Sequence, residues 1–382
     1  MVTVIENAQL VLETGILWDG VLVVTDGIIT AFGKAGTVEI PESAGHIDAK
    51  GAYVGPGFVD IHVHGGLCGH MCVYVEEVAE HFLRHGETTV LATPSYGNDF
   101  ETFLSYIKNV KAHMGNTKNI KGFYMEGPYM NPKYGSGAWR NPWRHPLDPT
   151  EYEALVDEAG ELARVWAIAP EREGLMPFLE YARKVNPNVK FAMGHCEATP
   201  DQVLALGSRY RPTIQTHSMD ATGRLPVPGG TRGSGPDEYC FQDPDMYAEL
   251  ISDSCGIHVS AALQRLLIHT KGVHRVVLIT DGTYHEDPNP PELAHVTDLN
   301  FNERGGLSGS KLTMDQACRN IMTHTSCGIA QAFRMASLNP ARAIGMGDEI
   351  GSIEPGKRAD LVFVDDKFNI QEVMVGGELC RF

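Results

Sequence analysis

Six side chains able to bind a divalent cation or to move a proton stand out by where they sit. His62 and His64 are two apart in FVDIHVHG, Glu126 follows FYM, His195 follows FAMG, His217 follows IQT and Asp281 closes VVLIT. Each falls at the carboxyl end of an apolar run rather than on a polar face. In an extended segment residues two apart share a side, so the His62 and His64 imidazoles point the same way, towards a barrel axis if Asp60 does so too. That spacing suits one ion. Taken singly, each residue has a plainer reading: a histidine hydrogen-bonded in the core, or a Glu126 carboxylate accepting backbone N–H groups before Gly-Pro. A buried carboxylate such as Glu126 or Asp281 nevertheless needs a cation, donors or a raised pKa. Repeated coincidence at strand ends favours one shared centre over several unrelated ones.

Such a centre requires elements that bring residues more than 200 positions apart to one face. Short apolar runs at 57–65, 88–96, 121–129, 163–171, 189–197, 212–220, 247–254 and 275–282 alternate with amphipathic stretches such as EEVAEHFLRHG and FETFLSYIKNVKAH. Eight βα repeats predict an α/β fold, a (β/α)8 TIM-like barrel over 54–345, in which the carboxyl ends of the strands converge on the active face. Thr199 is placed to cap a helix whose first turn holds Pro200. Residues 1–53 and 346–382 instead read as short strands between Gly and Asp turns, predicting one small β-sandwich domain built from both termini. The Gly- and Pro-rich stretch 222–245 is too long for a routine connection and reads as a functional loop, placed at a subunit interface.

Composition narrows the class. A chain of 382 residues is long enough for two or three domains or one barrel with an appendage. Acidic residues exceed basic ones, 48 against 31, a net charge of −17, and no basic run is long enough to follow nucleic acid or an anionic membrane. Neither partner is expected. No apolar run reaches the roughly 18 residues of a membrane-spanning helix, so no membrane segment is expected either. The eight cysteines form no CxxC pair and the amino terminus carries no secretory pattern, which together predict a reducing cytoplasm.

In order, PGFVDIHVHG, MEGPY, GHCEAT, THSMDA, LITDG, LSGSKLTM, SLNPARAIG and GSIEPGKRADLVFVD resemble the amidohydrolase superfamily, and within it are most similar to the N-acetylglucosamine-6-phosphate deacetylases. The resemblance runs over nearly the whole chain. It implies a metal-dependent hydrolase that removes the N-acetyl group from an amino sugar phosphate and releases acetate, with Glu126, His195 and His217 as metal ligands. His62 and His64 match a pair that holds a second ion in some members, and Asp281 matches the catalytic aspartate. The implied cofactor is a divalent metal, Zn before Fe, one or two per chain, which a mixed imidazole and carboxylate set suits. The resemblance also assigns His258, Asp220, Ala221 and Arg232 to substrate binding, Arg232 reaching the site from the partner in a homodimer, with Arg224 as its alternative. Two departures bear on substrate. Asp220 stands where the family has Asn, and Trp139 and Arg140 stand near a usual His, leaving Arg140 to donate to a developing oxyanion. A non-phosphorylated or different N-acyl amino sugar is the alternative substrate, and a non-catalytic scaffold is the rival of another class.

Overall fold

A computed structural model describes residues 1–224, 233–284 and 288–382. Eight parallel strands form one sheet in chain order, Phe58–Val63, Glu87–Ala92, Ile120–Met125, Ala163–Ile168, Lys190–Met193, Ile214–Gln215, Tyr247–Ile251 and Val276–Ile279. Each overlaps one of the eight predicted runs, with Glu87–Ala92 and Ile120–Met125 starting one residue earlier than expected. The sheet closes on itself: Val63 bridges Gly282 in parallel, and Asp281 N donates to His62 O at 3.1 Å. The fold is therefore a (β/α)8 barrel.

Strands buried on both faces read as continuous apolar runs, as VVLI at Val276–Ile279 does, with all four residues buried. Val165, Ala167, Ala192, Ile214 and Val277 belong to one inner cluster, while Phe123, Met125, Trp166 and Ile168 pack with the surrounding helices. The helices follow from a 3.6-residue stripe. In Val75–Arg84 the buried positions are Val75, Val78, Ala79, Phe82 and Leu83, with acids in the first turn and bases in the last. Phe100–His113 starts where the Asp99 side chain accepts from Thr102 N. As expected, Thr199 caps Pro200–Ala205, with Gln202 completing a capping box.

The termini meet in a second, eight-stranded sheet. Leu361–Val364 pairs antiparallel with Tyr53–Pro56, which lies beside Val2–Leu12, so the last part of the chain completes a sheet begun by the first. Phe58, Phe333 and Phe368 pack ring on ring at 5.2–6.0 Å between this sheet and the barrel. One expectation changes. The stretch 222–245 is not loop throughout: Pro236–Gln242 is helical, because Pro236 presets the first turn, Asp237 and Glu238 favour its positive end and Glu238 accepts from Gly235 N at 2.9 Å.

Candidate metal centre and active site

Five of the eight strands deliver a side chain to one point. His62 is on the first strand and His64 one residue beyond it, where the pairing with the second strand shifts register between Asp60 and Val63. Asp60 does not join them; its carboxylate accepts from His62 N and from the N–H and Oγ1 of Thr280. Glu126 directly follows the third strand. His195, His217 and Asp281 each come two residues past a strand end, at φ +44°, +23° and +47°. Non-glycine residues seldom adopt this left-handed region, and such turns concentrate at functional sites.

The result is a compact set of donor atoms. His62 Nε2 lies 3.3 Å from His64 Nε2, and His195 Nε2 lies 3.0 Å from His217 Nε2. Glu126 faces both pairs, with Oε1 at 2.8 Å from His195 and 3.3 Å from His217 and Oε2 at 3.2 Å from His64. His62, His64 and Glu126 form one group of ligand atoms within 4.8 Å of one another; Glu126, His195 and His217 form a second. Asp281 Oδ1 stands 3.3 Å from His64 Nε2 and 3.6 Å from His62 Nε2. All six side chains are buried.

Protons on the far side of the rings show what the near side needs. His64 Nδ1 faces Thr93 O at 2.9 Å and His217 Nδ1 faces Asp220 O at 3.3 Å, so each donates there and leaves its Nε2 as a bare lone pair. His62 Nδ1 likewise faces the Glu249 carboxylate at 3.2 Å. Lone pairs then point at lone pairs and at two carboxylates, an arrangement that only positive charge stabilises. Burial would lower His64, yet Glu126 and Asp281 push it up to about 10; His217, also opposed by burial, is pushed to about 10 by Glu126 and Asp220. Burial also opposes ionisation of Glu126 and Asp281, but the facing imidazoles hold Glu126 well below the usual carboxylate range and lower Asp281. The donor set fits a divalent cation.

Above the centre opens a cavity of ≈ 350 Å³, lined in part by Tyr96, Ser136, Arg140, Asp220, Ala221 and Asp281. Of the sequence-derived substrate residues, Asp220, Ala221 and Arg140 thus reach the wall. His258 is not among the lining residues; its Nδ1 faces Asp253 at 3.1 Å and its Nε2 faces Gly309 O at 3.1 Å. Arg224 is turned to Glu238 at 2.7 Å, and Arg232 lies outside the described residues. Arg140 lies over the Trp139 ring, 5.2 Å from its centroid, and 3.8 Å from Glu303.

Two residues of consequence escaped the sequence reading. Glu249 is wholly buried in the seventh strand and accepts from both His62 Nδ1 and His217 N, at 3.2 and 3.1 Å, so one carboxylate braces both ligand groups. An acid inside the apolar run YAELI carries the same signal that singled out Glu126. Tyr96 packs its ring at a tilt against His195, centroids 4.8 Å apart, and accepts from Gly137 N. No local signal separates it from an ordinary core tyrosine.

A model of the amidohydrolase family matches residues 250–380. A protein of Escherichia coli O157:H7, named N-acetylgalactosamine-6-phosphate deacetylase, is 29% identical over 396 residues covering all of both chains. A relative from Escherichia coli (strain K12) is 34% identical over 147 residues, 37% of this chain and 86% of that one. Among solved structures, a mutant N-acetyl-D-glucosamine-6-phosphate deacetylase from Mycobacterium smegmatis, in complex with N-acetyl-D-glucosamine-6-phosphate, superposes with a TM-score of 0.82 at 27% identity over 99% of each chain.

Proposed function

The chain belongs to the amidohydrolase family, and from that premise we propose that this metal-dependent hydrolase removes the acetyl group from an N-acetylated amino sugar 6-phosphate, releasing acetate and the free amine. The observation that carries the reading is the Asp281 carboxylate, 3.3 Å from His64 at the base of a cavity sized for a monosaccharide and beside two sets of metal-competent side chains. A divalent cation held by Glu126, His195 and His217, with His62 and His64 completing a second position, supplies Lewis acidity towards water and the acetyl carbonyl. Zn suits this nitrogen and oxygen set, with Fe next.

Asp281 is the acid–base group. As a carboxylate it takes a proton from the attacking water and returns it to the amide nitrogen, which must leave as a neutral amine because an amide anion is a very poor leaving group. Arg140 is the one Arg or Lys among the described lining residues, and it meets negative charge on the substrate. Asp220 and the Ala221 backbone contact the sugar. His258 supports this wall through Gly309, and the protein acts as a homodimer.

N-acetylglucosamine 6-phosphate is the first substrate to test. The galacto epimer is the second reading, favoured by the full-length relative from Escherichia coli O157:H7. Acetate release from both phosphorylated sugars and from their unphosphorylated forms is the deciding experiment. Strong release from one phosphorylated epimer is expected. No release from any of them by metal-loaded protein would overturn the deacetylase reading, and equal turnover without phosphate would point to the non-phosphorylated alternative. Light scattering at assay concentration tests the homodimer, for which a monomer is the refuting result. All eight cysteines are free, which suits a reducing cytoplasm, and recovery from the periplasm or medium in a cell fractionation would refute that placement.

A further inference from the structure

The fourth barrel strand, Ala163–Ile168, supplies none of the six side chains at the centre, although it lies between the strands that deliver Glu126 and His195. The dipeptide beyond its end, Glu171 and Arg172, touches the loops of both neighbours. Glu171 Oε1 accepts from Glu197 N at 2.8 Å, two residues past His195, and from Asn131 Nδ2 at 2.9 Å. Asn131 N donates to His195 O at 2.9 Å, so the left-handed turn at His195 is gripped from both sides. Arg172 acts on a different segment. Its Nη1 donates to Met130 O and Trp143 O and its Nη2 to His145 O, each at 2.9 Å. One guanidinium therefore pins both ends of the excursion 130–145, whose middle provides Gly135, Ser136, Gly137 and Arg140 to the cavity wall.

We propose that Glu171 and Arg172 are positioning residues with separable duties: Glu171 holds the His195 turn in its metal-binding geometry, and Arg172 holds the substrate-facing wall. The proposal rests on the reading of His195 as a ligand and of the cavity as the substrate site. A strained backbone turn persists only where its surroundings over-determine it, and a carboxylate accepting two N–H groups across adjacent loops does that here. A planar guanidinium reaches three carbonyls at once, which an ammonium on a flexible stem does not reproduce.

The test is Zn²⁺ affinity by competition with a chromophoric chelator, together with melting curves and steady-state kinetics, for Glu171→Ala, Glu171→Gln, Arg172→Ala and Arg172→Lys. Glu171→Ala is expected to weaken Zn²⁺ binding by about 10- to 100-fold, the range for partners that orient ligands, while Glu171→Gln, whose amide oxygen still accepts, stays near wild type. Arg172→Ala is expected to bind Zn²⁺ as wild type and to raise KM about tenfold with little change in kcat, and Arg172→Lys to recover little of it. Wild-type affinity in folded Glu171→Ala, an equal loss in Glu171→Gln, or a loss of Zn²⁺ in Arg172→Ala would overturn the proposal. Should Glu171→Ala not fold, Asn131→Ala removes one of the two donors to Glu171 and is expected to weaken Zn²⁺ binding in the same direction; unchanged affinity there refutes the Glu171 role. Failure of the wild type itself to bind Zn²⁺ would instead refute the metal reading on which the proposal stands.

Discussion

At the scale of single residues, Asp281 shows how one side chain is suited to carrying a proton. It belongs to neither group of metal-competent atoms, yet its Oδ1 lies 3.3 and 3.6 Å from the two imidazoles of one of them. Asp281→Asn keeps the shape and removes the charge, and Asn tolerates the left-handed φ of +47° at this position at least as well as Asp. The variant is therefore expected to fold and retain metal while kcat falls by at least about 10²-fold, the lower end of what a positioned acid–base group contributes. Near wild-type turnover would remove Asp281 from the chemistry, and loss of metal would make it a ligand. Residue types alone placed Asp281, Glu126 and the four histidines under suspicion. Glu249 carried the same signal in YAELI and passed unremarked because nothing local says that its carboxylate reaches two ligands at once.

Elements decide which way those residues face. The repeat of apolar runs predicted the strands, and Thr199 before Pro200 predicted the cap; both depend on neighbours in sequence. The register shift in the first strand does not, and it is what separates Asp60 from His62 and His64. The excursion after the third strand is another case. Gly135 has φ +97°, and a Cβ there would stand 2.0 Å from Tyr96 Oη and 2.5 Å from His195 Nδ1, closer than any side chain can approach. Gly135→Ala must push the loop off the ligand or displace Tyr96. We expect it to destabilise the fold by about 1–3 kcal/mol and to lower kcat/KM by about tenfold or more. Melting curves and steady-state kinetics check both, and wild-type values in each would show that this loop does not seat against His195.

For the whole molecule, the centre ties the barrel together, since strands one, three, five, six and eight each contribute to it. A cation that binds only the folded chain stabilises it by about 2.7 kcal/mol when present at a hundred times its dissociation constant. Chelation is thus expected to lower the melting temperature by on the order of 5 °C, reversed by adding Zn²⁺ back. A melting curve indifferent to chelator, from protein shown to contain metal beforehand, would mean that the ion does not stabilise the fold. The division between sequence and structure follows from the range of the forces involved. Burial patterning, turn chemistry and caps act over a few residues, so the linear chain already determined eight buried strands, a sheet shared by the two termini and polar side chains stranded at apolar ends. Distances between residues such as His62 and Glu249, 187 positions apart, are set only when the barrel closes. Closure also decided that Arg140 reaches the cavity, that His258 spends its ring on Asp253 and Gly309, and that a strand with no ligand of its own braces its neighbours, because each depends on which loops become neighbours in space.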